Sequence, residues 1–202
     1  MTHQLSVEIL GIKFANPFLL ASTPATRASR WPLIAKAGWA SGVTWAGERH
    51  ENEVLQCRFY SPNNSIERDV TDPGWTCQSL NARSPAPSTG RPEPNPEVLG
   101  KRIREAKKSG LPLGANLLLP SEIEPWVEAA KVSEAAGADF LELNLSCPVY
   151  PWGIYICRDL TATADIVRSV RRATRLPIVA KLHGWHLAEE LKTLAVTVEE
   201  AG

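Results

Sequence analysis

Gly137-Ala138-Asp139-Phe140-Leu141-Glu142-Leu143-Asn144-Leu145-Ser146-Cys147-Pro148 is the stretch on which the fold turns. Gly137 is a natural helix stop. The apolar run after it ends at an amide, a hydroxyl and a thiol, and Pro148 closes it sharply. The pattern predicts a buried strand over 139–145 that emerges at a surface and displays Asn144, Ser146 and Cys147 at its C-terminal tip. In barrels of alternating strands and helices, catalytic residues sit at that end of a strand. A cysteine in such a place can act as a nucleophile or a proton donor. A lone cysteine is more often a small buried hydrophobe; the company of Asn144 and Ser146 favours function.

The same rhythm extends to both sides. Residues 7–14 read as a small hairpin around Gly11, and 16–22 as a short strand ending in small polar residues. Helices are predicted over 30–38, 96–109, 121–136, 161–174 and 187–201, and further strands over 41–45, 113–118 and 177–182. Ser121-Glu122-Ile123-Glu124 fits a capping box. Five alternations of strand and helix call for parallel strands joined by right-handed crossovers. The expected class is α/β of the (β/α)8 TIM-barrel type, present as an incomplete barrel of about five strand-helix units in one domain over 1–202. A complete barrel usually needs ~250 residues, so the sequence reads as truncated at its C-terminus. An open doubly wound sheet is the alternative. Residues 48–94, rich in Pro, Asn, Ser and Gly, are predicted to form a long loop region on the face that carries the Cys147 tip.

The composition fits an ordinary globular chain, 44% hydrophobic and 22% charged over 202 residues. Lys plus Arg number 22 and so do Asp plus Glu, so net charge argues for neither nucleic acid nor an anionic membrane as a partner. Lys101-Arg102-Ile103-Arg104 and Arg168-Ser169-Val170-Arg171-Arg172 read as solvated helix faces. No apolar stretch approaches the ~20 residues that span a bilayer, and residues 1–6 lack the features of a secretory signal. Cys57, Cys77, Cys147 and Cys157 form no CxxC pair, which points away from a disulfide framework and towards a reducing cytoplasm. His183 and His186 have HxxH spacing without an acidic or thiol partner, so no metal site is expected.

On three of these segments the chain resembles the dihydroorotate dehydrogenase and dihydropyrimidine dehydrogenase family of FMN-dependent barrels, in its N-terminal portion. The segments are Asn16-Pro17-Phe18-Leu19-Leu20-Ala21-Ser22, the run from Gly137 to Pro148, and Ile178-Val179-Ala180-Lys181-Leu182. The resemblance implies FMN as cofactor and hydride exchange between flavin N5 and one carbon of a pyrimidine-like CH–CH bond. It makes Cys147 the acid/base at the adjacent carbon, and gives Asn144 and Ser146 to substrate binding, Asn144 also to the flavin. Lys181 would place positive charge near flavin N1 and O2, and Ala21 and Ser22 would form the first-strand wall of the flavin pocket. A small-molecule, pyrimidine-like substrate is implied, and a homo-oligomer or a partner chain is left open.

Departures from the family pattern accompany the matches. Trp45 and Ala46 stand where the family has lysine and threonine. Val149 and Tyr150 replace a substrate-binding asparagine or histidine, and His183-Gly184-Trp185 replaces a Thr-Pro-Asn turn. The loops after strands seven and eight, which hold phosphate in such barrels, have no counterpart in the sequence, so FMN binding by this chain alone is expected to be weak or absent. Two other readings stand beside the dehydrogenase: a non-catalytic remnant or assembly fragment, and a flavin barrel of the tRNA dihydrouridine synthase kind.

Overall fold

The computed structural model describes residues 5–44, 59–61, 64–68, 76–77, 96–119, 121–146, 148–149, 154–183 and 188–202. The chain opens with an antiparallel hairpin of β1 (Val7–Ile9) and β2 (Ile12–Phe14). Then come β3 (Leu19–Leu20), α1 (Trp31–Lys36) and β4 (Ser41–Val43). Three strands follow, β5 (Phe59–Ser61), β6 (Asn64–Arg68) and β7 (Thr76–Cys77). The rest alternates: α2 (Pro96–Lys107), β8 (Leu113–Leu117), α3 (Ile123–Ala135), β9 (Phe140–Asn144). A second hairpin, β10 (Pro148–Val149) with β11 (Ile154–Tyr155), leads to α4 (Leu160–Ala173), β12 (Ile178–Lys181) and α5 (Ala188–Ala201).

One parallel sheet organises the molecule, in the order β12-β9-β8-β4-β3. Each of these strands lies beside its predecessor, and the order never reverses. A doubly wound sheet reverses at its switch point and carries helices on both faces; among the described residues this sheet keeps one order and its helices share one core. Leu113, Ala115 and Leu117 of β8 and Leu141 and Leu143 of β9 point to one face. There they join Trp31 of α1, Ile103 of α2, Trp126 of α3, Ile166 of α4 and Leu194 of α5 in one core. Burying a Leu or Val side chain in this way contributes about 1.5–3 kcal/mol. The architecture is therefore α/β, a curled five-stranded half-barrel sheet with its helices on the outside.

Local sequence explains the helices. Asp159 caps α4 by accepting from Ala162 N at 2.9 Å, and Thr163, Ile166, Val167 and Val170 give the buried stripe at helical spacing. Gly137, at φ 91°, ends α3 in the left-handed conformation that favours glycine and aims the chain into β9.

Two expectations are corrected. The capping box at 121–124 does not form: the N-cap of α3 is Glu122, with no side-chain bond to the backbone. Pro125 occupies the third helical position and has no N–H for a cap to reach. Residues 48–94 are not all loop, because β6-β5-β7 make a three-stranded antiparallel sheet. Short strands such as Asn64-Ser65-Ile66-Glu67-Arg68 lack the apolar alternation by which strands announce themselves.

Candidate active site

β9 is paired on both sides with parallel strands, β8 and β12. Successive side chains alternate between faces, so Phe140, Glu142 and Asn144 point away from the helices. Phe140 lies lowest, with Phe14, Ala40 and Val43 in a small apolar cluster against which Val7, Ile12 and Leu19 of the N-terminal segment pack. Gly114 of β8 sits opposite Phe140, and a Cβ there would fall 2.4 Å from the ring, so glycine makes the room. Phe140 and Gly114 thus form an apolar floor.

Above the floor the wall turns polar. Glu142 is paired in register with Asn116 of β8, and Asn116 Nδ2 donates to Glu142 Oε1. Lys181 of β12 is in register with Asn144, and its Nζ lies 3.5 Å from the same Glu142 oxygen. Asn116 is also held through its backbone, whose N–H donates to Thr44 Oγ1 at 3.1 Å. Asn116 Oδ1 is buried without a hydrogen-bond partner. At the tip, Ser146 Oγ donates to Asn144 Oδ1 at 2.8 Å, which fixes the orientation of a buried amide. The turn beyond is fastened by Leu145 N to Lys181 O at 3.2 Å and Cys157 N to Leu145 O at 3.3 Å.

Among the sequence-derived site residues, the structure brings Asn144 and Ser146 into direct contact and sets Lys181 beside them through Glu142. Ala21 and Ser22 follow β3 at the same end of the sheet, separated from β9 by β4 and β8. Cys147 lies outside the described residues, as do Trp45, Ala46, Tyr150, Gly184, Trp185 and His186. Cys157 is a different thiol, packed into the helix-side core. Sequence reasoning missed Asn116 and Glu142. The signal was there: each is a polar residue in a run of apolar ones, and Glu142 stands two places before Asn144, on the same face.

Among the described residues, no three His, Cys, Asp or Glu side chains are grouped to hold a metal ion. Nor is any helix there long and apolar enough to cross a membrane. What the wall offers is an ammonium, two amides and a hydroxyl over an apolar floor. Such donors and acceptors suit the polar edge of a planar heterocycle, and the orphaned Asn116 Oδ1 is an acceptor that a ring N–H would satisfy.

No family model matches the chain. Among curated proteins it is similar to the catalytic subunit of dihydroorotate dehydrogenase B (NAD(+)) of Endomicrobium trichonymphae. The two are 38% identical over 207 residues, covering 100% of this chain and 60% of that protein. The NAD-dependent dihydropyrimidine dehydrogenase subunit PreA of Escherichia coli K12 is 30% identical over 190 residues, covering 90% of this chain and 42% of that protein. The chain therefore spans 60% or less of the length of these relatives. Among solved structures, a putative phosphonomutase from Burkholderia cenocepacia J2315 matches with a TM-score of 0.53 over 94% of this chain and 67% of its own. At 16% identity that likeness speaks to the fold alone.

Proposed function

We propose that this chain, a relative of the dihydroorotate and dihydropyrimidine dehydrogenases, forms the N-terminal part of a (β/α)8 flavoenzyme. That enzyme would oxidise or reduce the CH–CH bond of a dihydropyrimidine- or dihydroorotate-like ring. The observation that carries the reading is the polar wall of Asn116, Glu142, Asn144 and Lys181 at one end of a sequentially wound parallel sheet, above an apolar floor. Active sites of such folds assemble at the C-terminal ends of the strands.

FMN, when bound, supplies hydride exchange at its N5. The chain's own groups do the rest. Cys147 would move the proton at the neighbouring carbon. Lys181 would supply positive charge to the flavin N1 and O2 region. Asn144, oriented by Ser146, hydrogen-bonds the ring system, and Ala21 and Ser22 let it approach the β3 edge.

The test is the visible spectrum of the purified chain titrated with FMN, followed by anaerobic addition of dihydroorotate or a dihydropyrimidine. Flavin bands that sharpen on binding and bleach with substrate are expected. Binding by the chain alone is expected to be weak, so the titration runs to excess flavin; a chain that never binds FMN overturns catalysis by this chain as it stands. The competing reading, a non-catalytic subunit, is favoured by Trp45 where the family has a flavin-contacting lysine, and predicts flavin binding without bleaching.

A further inference from the structure

Glu142 is the residue on this wall whose presence most needs a cause. A carboxylate 8% exposed between Leu141 and Leu143 costs desolvation unless it is paired. Both of its recorded partners meet one oxygen, Oε1, yet they differ in kind. Asn116 is only 3% exposed and is tied to Thr44 through its backbone, so it has nowhere to move. The Lys181 side chain is 36% exposed on a flexible stem, and holding such a stem in one geometry costs up to about 2 kcal/mol of rotamer entropy. Order therefore passes outward, from Asn116 to Glu142 to Lys181.

We propose that Glu142 is a positioning residue for Lys181: Asn116 fixes the carboxylate, and the carboxylate fixes the ammonium beside Asn144 at the strand tip. Lys181 then presents a bound ring with a single geometry and a charge partly offset by its partner. This deepens the flavin reading above and rests on it for the identity of the ring, whereas the clamp is a property of the chain alone.

The test is trace labelling of the full chain with acetic anhydride, each lysine's acylation rate being read by mass spectrometry. Lys107, paired with Asp139 at the opposite end of β9, serves as internal reference. Acylation requires the amine to leave its partner. In Glu142→Gln, without FMN, the rate of Lys181 relative to Lys107 rises several-fold. Should that variant loosen the whole fold, Lys107 accelerates as well. Asn116→Leu, which keeps the branched skeleton and removes the amide that fixes Glu142, then gives a smaller rise confined to Lys181. An unchanged ratio in a folded variant overturns the clamp. Added FMN slows Lys181 labelling in the unsubstituted chain if the flavin reading holds. Failure of that shielding sinks the flavin role of Lys181 and leaves the clamp to be decided by the ratios.

Discussion

A lysine and a carboxylate meet at the start of β9 and again halfway towards its tip, and the two pairs are built differently. At the N-terminal end Lys107 Nζ lies 2.6 Å from Asp139 Oδ2, with the two side chains 31% and 33% exposed. The same oxygen accepts from Leu113 N at 2.7 Å, while Asp139 N donates to Leu113 O at 2.8 Å. That knot ties both β8 and α2 to the start of β9. At the C-terminal end the carboxylate is buried, its lysine stands at an open rim, and the neighbouring amide oxygen of Asn116 has no partner. Unpaired buried polar atoms are costly and rare in native proteins. One end is a completed fastening, and the other is a set of groups with bonding capacity still to fill. That difference separates a structural ion pair from a candidate site more sharply than residue type does.

Substitutions at the two ends should therefore fail in different ways. The largest effect belongs to the C-terminal end: Cys147→Ser slows substrate-driven flavin reduction by roughly 10²–10⁴-fold, while the melting temperature stays within a few degrees. Stopped-flow absorbance at the flavin bands measures it, and an unchanged rate removes the thiol from proton transfer. At the floor, Gly114→Ala drives a methyl into the Phe140 ring. It destabilises the chain by about 1–3 kcal/mol through overpacking. Adding Phe140→Leu recovers part of that loss in urea unfolding; strictly additive losses would show that ring and methyl do not meet. At the N-terminal end, Asp139→Ala leaves the buried Leu113 N–H without its acceptor, a loss of about 1–3 kcal/mol. Lys107→Met removes only the half-exposed partner and costs less than about 1 kcal/mol. Equal losses for the two would mean that the ion pair, and not the backbone bond, holds this end.

The winding of the sheet was legible in sequence because each sheet strand is a short apolar run, and helices with glycine stops separate most of them. The polar tip was legible for the same reason, since Asn144 and Ser146 interrupt an apolar run where a strand must end. Glu142 and Asn116 escaped because a fully buried strand gives no alternation to read: Leu141 and Leu143 mask the fact that Glu142 faces the other way. Only the register of β8 against β9, a long-range property, shows that the two polar residues meet. The α3 cap was misplaced because Ser121-Glu122-Ile123-Glu124 satisfies a local rule, while Pro125 shifts the helix start by a residue. The strands within 48–94 escaped for want of apolar alternation.

The smallest predicted effect probes the comparison most finely. If Asn116 Oδ1 is an acceptor held for a ligand, the empty chain gains nothing from it, and burying it costs free energy. Asn116→Leu removes that orphan and also the Nδ2 donor to Glu142, on the same branched skeleton. Losing the donor to Glu142 costs about 1–3 kcal/mol, removing the unsatisfied Oδ1 recovers a desolvation cost of about the same size, and Glu142 retains Lys181. The stability change should therefore stay within about 1 kcal/mol in urea unfolding of the ligand-free chain. In the presence of FMN the variant should fall behind the unsubstituted chain, because only the latter gains from the new bond. Free energy lost equally with and without FMN would make Asn116 a second Asp139, a fastening and nothing more.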